Sequence, residues 1–337
     1  MARREPDVIV AEAADGGTAV ADDFEPYRRE LTGYCYRMLG SGSEADDAVQ
    51  ETLVRAWRNA DSFEGRSSVR TWLYRIASNV CIDMGRAVQR RARPMDLATS
   101  SPPDETLLGP PRPELPWISP VAGTAVGIDT DGPEASAVQH ESLRLAFITA
   151  LQHLPAKQRA ALILCDVLEW SAAGAAELLD TSTAAVNSAL QRARATMAGL
   201  PAEYVTRPLD ADAAELVSRY VEAFEHYDID TLVTLLHDDA IQTMPPFELW
   251  IRGAHDIGAW MVEPGPSACR GSRLIATSAN GCPAFGQYRV DPDGGYAPWA
   301  LQVLEISEGR IAEMHFFLAL GDPSLFSSFG LPAHLDA

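Results

Sequence analysis

Nine prolines fall between residues 94 and 136, in the run PMDLATSSPPDETLLGPPRPELPWISPVAGTAVGIDTDGP and its flanks. Proline lacks a backbone donor and clashes with the preceding turn, so no helix or central strand continues through that density. The chain must divide there into modules joined by a linker that is extended in places. Leu115, Trp117 and Ile118 are conspicuous inside it. Apolar side chains in a linker reduce solubility unless they dock on a domain or in a partner's groove.

Ahead of the linker the pattern is helical over residues 24–93. PYRRELTGYCYRMLGS predicts a helix ending at Gly40. Ser43 is placed to cap a second helix, with Asp46 and Asp47 in its first turn complementing the helix dipole. Ala48, Val49, Leu53, Ala56 and Trp57 recur at helical spacing and leave Asp47, Gln50, Glu51 and Arg55 for the other faces. A loop through DSFEGRSSV leads into a long basic helix from about Val69 to Arg91. That helix presents Arg70, Trp72, Tyr74 and Arg75 beside apolar Leu73, Ile76 and Val80. Guanidinium groups neutralise phosphates and rings offer faces to unstacked bases, so such a surface suits single-stranded or melting nucleic acid. The plainer alternative is a helical bundle with its aromatics in the core.

Net charge argues against nucleic acid until it is divided. The chain carries −20 overall, but residues 24–93 carry +3, residues 138–200 are neutral and residues 210–337 carry −13. The acidity sits outside the candidate binding modules. An acidic C-terminal domain repels DNA and competes for the basic helix in cis.

After the linker, helices resume at Ala137, break at Leu154-Pro155, and continue through AKQRAALILCDVLE. WSAAGAAELLDTSTAAVNSALQRARATM then reads as two helices divided by Asp180-Thr181-Ser182, the helix-turn-helix pattern. The second helix of such a unit enters the major groove by its N-terminal residues, here Thr183, Ala184, Asn187 and Ser188. Gln191, Arg192 and Arg194 follow for bases or phosphates. Little positive charge precedes Arg192, so affinity for DNA in isolation should be weak. A short linker, 201–209, precedes a third module over 210–331. Its pattern is helix, short helix, strand, Pro-Pro turn, strand and helix, then four strand-like runs. Glu308-Gly309 marks a hairpin between the last two.

These stretches resemble a known family. DDAVQETLVRAW, SFEGRSSVRTWLYRIASNVCIDMGR and the helix-turn-helix segment are similar to regions two and four of RNA polymerase sigma factors of the extracytoplasmic-function (ECF) type. The third module resembles the SnoaL-like, or nuclear-transport-factor-two-like, cone. The fold class implied is multidomain: two all-α sigma modules followed by an α+β cone. The resemblance implies that Asp46, Asp47, Gln50, Glu51, Arg55 and Trp57 clamp the coiled coil of the polymerase largest subunit. It assigns −10 melting to Phe63, Arg66, Arg70, Trp72, Tyr74, Arg75 and Asn79. It assigns −35 recognition, beside the polymerase flap, to Thr183, Asn187, Ser188, Gln191, Arg192 and Arg194, and it sends the linker toward the RNA exit path. The cone implies an apolar pocket lined by Tyr220, Phe224, Met244, Trp250, Trp260, Trp299 and His315, with room for a small apolar ligand.

The resulting expectation is a promoter-specificity factor whose acidic domain modulates it by contact with the sigma modules. The alternatives are a pocket isomerase or cyclase tethered to DNA, with Asp228, Asp238, Asp239 or His315 as base, and a conventional repressor or activator. Residues 1–23 are polar and expected to be disordered. The N-terminus lacks the apolar core of a signal peptide, and no apolar run approaches a membrane span. Five scattered cysteines without a C-x-x-C pair favour reduced thiols in cytoplasm. No metal site or cofactor is expected.

Overall fold

A computed structural model describes residues 24–63, 65, 67–87, 91–127, 141–200, 213–262, 269–320 and 324–336. The expectations for residues 1–23, for the linker 201–209 and for the stretch 128–140 lie outside them.

The first module is three helices, α1 (Arg28–Leu39), α2 (Gly42–Arg58) and α3 (Val69–Ala87). Gly40 ends α1 in the left-handed region, φ 72°, where a residue without Cβ is at ease. The cap of α2 differs from expectation. Ser41, not Ser43, is the extended N-cap residue, and its Oγ accepts from the Glu44 amide. Gly40 reverses the chain so tightly that only one extended residue separates the helices. Ser43 is therefore already helical, and Asp46 and Asp47 fall in the second turn. The main apolar stripe of the module comprises Leu31, Tyr34, Val49, Leu73, Tyr74 and Ala77.

The linker is a packed strap. Its described residues contain one helical turn, Pro94–Leu97, and two short 3-10 turns, and they run over both neighbouring modules. Trp117 and Ile118 are buried. Ser119 donates to Gly40 O and accepts from the Gly42 amide. Its carbonyl accepts from Tyr36 Oη at 2.9 Å. The strap passes so close to α2 that a Cβ at Gly42 would stand 2.7 Å from Pro120 O.

Among the described residues the helices of the next module are α4 (Leu145–Gln152), α5 (Ala156–Leu162, ending in a π-helical turn at Ile163–Val167), α6 (Ala172–Leu178) and α7 (Thr183–Ala198). Ser171 and Ser182 cap α6 and α7 by accepting from Gly174 N and Ala185 N. The four residues 179–182 between them make the helix-turn-helix turn. This module is docked on the first, with α3 against α5 and α6. Two arginines, Arg37 buried and Arg159 partly buried, tie the modules together. Arg37 donates to Ser142 Oγ at 3.0 and 2.8 Å, and Arg159 donates to Met38 O. Burial lowers both guanidinium groups to about 10.

The C-terminal domain packs α8 (Ala214–His226), α9 (Ile229–Thr234) and α10 (Ala254–Val262) on six strands. The strands are β1 (Leu236–Thr243), β2 (Trp250–Arg252), β3 (Arg273–Ala279), β4 (Cys282–Val290), β5 (Tyr296–Ser307) and β6 (Arg310–Leu318). Their order in the sheet is β2-β1-β6-β5-β4-β3. Glu308 and Gly309, at φ 53° and 72°, form the tight β5–β6 turn. The sheet is not antiparallel throughout, because β1 and β6 pair in parallel. Parallel neighbours need a long crossover, and α10 with β3 to β5 supplies it.

Side chains alternate across the sheet. Leu304, Met314 and Phe316 face α8 and α10, whereas Leu301, Val303 and Phe317 join the core that begins at Phe24. Both faces of the central strands are therefore covered, one by the domain's own helices and the other by the sigma-like modules and the strap.

Candidate polymerase and nucleic-acid interface

The outer face of α2 is open. Asp46, Asp47 and Gln50 are exposed, and Glu51 and Arg55 pair at 2.7 Å. Trp57 is 59% exposed beside Val54 at 40%. Burial, and then the adjacent Asp47 charge, raise the Asp46 carboxyl above its ordinary value. Among the described residues the Trp57 indole stands largely bare, an arrangement commonly found where a second molecule docks.

The expected melting helix divides into two faces. Trp72 is half-buried, with the rings of Phe24 and Phe63 at 6.0 and 5.0 Å, and Arg75 and Asn79 are exposed on the same side. Tyr74 does not belong to that face. It is fully buried between Tyr34, at 5.2 Å, and Trp170 of the second module, at 5.4 Å. Helical periodicity explains the correction: Tyr74 lies four residues from Arg70 and three from Ala77 on the inward stripe, while Trp72, Arg75 and Asn79 follow one another outward. Burial and the Glu30 charge raise the Tyr74 hydroxyl. Arg70 is also engaged. It pairs with Glu30 at 2.8 Å and lies 5.2 and 5.3 Å from the ring centres of Tyr74 and Trp170. Arg75 reaches Asp180 of the helix-turn-helix turn at 3.9 Å. Arg66 lies outside the described residues.

On α7, Thr183, Asn187, Ser188, Gln191, Arg192 and Arg194 are all exposed. Thr183, Asn187 and Gln191 rise four residues apart along one outward stripe. Arg194, at its far end, is held by Asp166 through bonds of 2.9 and 2.6 Å. The outward face of this helix is thus open while part of α3 is covered.

The C-terminal domain grips both modules through the turn between β3 and β4. Asn280, at φ 55° and with no exposed surface, places its Oδ1 on the Val121 amide at 3.1 Å. Its Nδ2 donates to Tyr36 Oη and to Leu143 O, both at 2.7 Å. One side chain therefore binds the first module, the strap and the start of the second. Nearby, Arg144 and Glu305 form a buried ion pair, and Arg93 lies 3.9 Å from Glu313, whose carboxylate also stands 3.2 Å from His315 Nε2. Burial alone would raise the Glu313 carboxyl. The adjacent His315 and the Arg93 and Arg144 charges outweigh it and hold the group below its ordinary value.

On the opposite face of the sheet lies a cavity of about 230 Å³. Phe224, Met244, Trp260 and Trp299 line it, as the sequence suggests. Tyr220, Trp250 and His315 do not. Tyr220 lies deeper in the core and donates to Gln302, Trp250 donates its indole N–H to Ala98 O of the strap, and His315 faces Thr243 at 2.9 Å on the docking side. Trp250 and His315 point to the strap side because strand residues alternate faces. Among the described residues lining the cavity there is no carboxylate and no imidazole. Asp228 caps α9 by accepting from Thr231 N, and Asp238 pairs with Arg310 on the surface. Asn280, Trp170 and the Arg144–Glu305 pair escaped the sequence reading. The Asn-Gly pair at 280–281 signals a tight turn, but nothing local says what the turn meets.

A helical module with a basic aromatic helix, a helix-turn-helix unit and a fused cone define a class of multidomain DNA-directed initiation factor. Residues 24–91 match the family model for sigma-70 region 2, residues 144–197 that for sigma-70 region 4, and residues 217–314 that for a SnoaL-like domain. The chain is 43% identical to the ECF RNA polymerase sigma factor SigG of Mycobacterium tuberculosis, across 99% of this chain and 91% of that protein. SigJ of the same organism is 33% identical over 66% of this chain and 63% of its own length. The crystal structure of M. tuberculosis SigJ superposes with a TM-score of 0.56 at 24% identity, covering 92% of this chain and 99% of that one, which supports the fold. The chain belongs to the ECF family of RNA polymerase sigma factors, the subunits that direct polymerase core to promoter DNA. Among the described residues no helix is long and apolar enough to cross a membrane.

Proposed function

We propose that this sigma factor is held closed by its own C-terminal domain and opens on polymerase in the cytoplasm. In this reading the α2 face, with Asp46, Asp47, Gln50, Glu51, Arg55 and Trp57, meets the coiled coil of the largest subunit. Phe63, Arg70, Trp72, Arg75 and Asn79 handle the −10 strand, α7 reads the −35 element beside the flap, and the cavity takes a small apolar ligand. Tyr74 supports that surface from beneath.

The observation that carries the reading is the contact of Trp170 with Tyr74 and Arg70, which joins the two DNA-directed modules at ring distance. Promoter elements centred near −10 and −35 lie about 25 base pairs apart, or about 85 Å at 3.4 Å per pair. A compact chain of this length is only about 50 Å across. The closed form cannot touch both elements of one straight promoter, so initiation requires the modules to part. The Asn280 turn, docked on both, opposes that parting.

An enzymatic reading has less support, since a base on an acidic carbon must lie within hydrogen-bond reach of its proton. No acid or imidazole borders the cavity among the described residues. Transcription in vitro with limiting core polymerase tests the proposal. The intact chain should initiate from its promoter, and a chain ending at residue 209 should do so at lower protein concentration. Failure of both chains to initiate, or weaker core binding by the shortened chain, would overturn it.

A further inference from the structure

The cavity of the C-terminal domain has two features that a merely unfilled void does not need. Gln242, on β1, is 3% exposed and lines the cavity, and its Oε1 has no hydrogen-bond partner among the described residues. A buried acceptor left unpaired costs free energy, and such a group ordinarily finds a partner. Arg289, on β4, also lines the cavity. Its guanidinium is stacked 3.3 Å from the centre of the Trp299 ring, its Nη2 donates to Cys269 Sγ at 3.4 Å, and its buried Nε has no partner among the described residues. An acceptor and a cationic donor thus border a space whose other walls are almost wholly apolar. Few, placed polar groups in an apolar cavity are how a site fixes a ligand's orientation.

Size narrows the class. An apolar cavity of about 150 Å³ holds benzene, and this one is about 230 Å³. The aromatic walls Phe224, Trp260, Trp299 and Phe316 favour flat rings.

One wall comes from elsewhere in the chain. Leu108, in the strap between the sigma modules, lines the same cavity and packs on the domain's core. The strap is fastened on either side of it. Ser101 N donates to Trp250 O at 2.9 Å, and Arg112 N donates to Pro246 O at 2.8 Å. Arg112 also pairs with Glu248 at 3.0 Å.

We propose that this cavity is a binding site for a one- or two-ring apolar molecule carrying a hydroxyl for Gln242 and an anionic oxygen for Arg289, and that Leu108 closes over it. Ligand and strap then share a surface, so each stabilises the seating of the other by the same factor. The site gives the regulatory domain of the preceding section its chemical input. Its regulatory meaning rests on that reading, whereas binding itself does not.

The test uses the full chain without polymerase or DNA, with 2-naphthol and 2-naphthoate as probes in calorimetric titrations. Each should bind one to one. Gln242→Leu should weaken 2-naphthol about fivefold and leave 2-naphthoate unchanged. Arg289→Met should weaken 2-naphthoate about thirtyfold and leave 2-naphthol unchanged. That crossed pattern separates a site from general disruption of the fold. Either probe should also slow hydrogen exchange at the Ser101 and Arg112 amides. Absence of binding, or binding insensitive to both substitutions, would overturn the site. Unchanged exchange at the two amides would overturn the closure by Leu108. In a separate transcription assay with core polymerase and promoter DNA, equal output with and without the bound probes would sink the regulatory reading and leave the site standing.

Discussion

Replacing Asn280 with glycine should open this sigma factor without straining it. The residue sits at φ 55°, a conformation glycine adopts more readily than asparagine, so the turn itself is preserved. What disappears is one acceptor and two donated bonds, to Val121 N, Tyr36 Oη and Leu143 O. Taking about 1 kcal/mol for each buried hydrogen bond gives a loss near 3 kcal/mol from the docked state. Tyr36 still donates to Ser119 O, so its hydroxyl is not orphaned. At 1.4 kcal/mol per factor of ten, the closed-to-open ratio should fall about a hundredfold. If only the open form binds polymerase, the apparent Kd for core falls in proportion, down to the value of a chain ending at residue 209. Fluorescence-anisotropy titration of labelled Asn280→Gly, intact and shortened chains with core measures all three. If the variant's Kd stays within threefold of the intact chain while the shortened chain binds far more tightly, the turn is not the clasp and the argument fails.

Two further outcomes follow from the docking and polymerase faces. Glu313 is held below its ordinary carboxylate range, so its contribution is present above the unfolded-state value near 4.5 and is lost as pH falls through the lower folded value. Docking monitored by Trp170 fluorescence should therefore weaken on acidification below about pH 4.5, and Glu313→Gln should weaken it at neutral pH and flatten the acid response. Trp57→Ala should leave the melting temperature within about 2 °C of the parent, because the side chain is mostly exposed. The same change should weaken core binding at least tenfold in a pull-down titration, as loss of an aromatic anchor does.

The helices, their order and both sigma modules were legible because helical spacing and turn residues are local signals. The failures are equally physical. Tyr74 reads as a surface aromatic among arginines, and only its place on the Arg70–Ala77 stripe assigns it inward. A cap at Ser43 is a reasonable local choice, but Gly40 reverses the chain one step sooner. His315 and Trp250 have the composition of pocket residues, yet strand alternation turns them toward the strap. One signal lay unused in β5. ALQVLEI carries apolar residues on both faces, interrupted only by Gln302 and Glu305, as a strand covered from both sides does, and this points to a cover on the outer face of the sheet. What lies there is set by contacts more than 100 residues away in sequence, as between Asn280 and Leu143 or Arg144 and Glu305, and no window of sequence contains both partners.

The apolar core that starts at Phe24 does not stop at a module boundary but runs on through Leu151 and Val303 to Leu331. A surface of that kind cannot be left wet. When the modules separate, oily side chains that were interior become exterior, and some other body must cover them at once. Only a partner that offers matching greasy ground as well as the right charges can hold the parted form for long. The shared interior therefore acts as a threshold, and weak or accidental encounters end with the chain snapping shut.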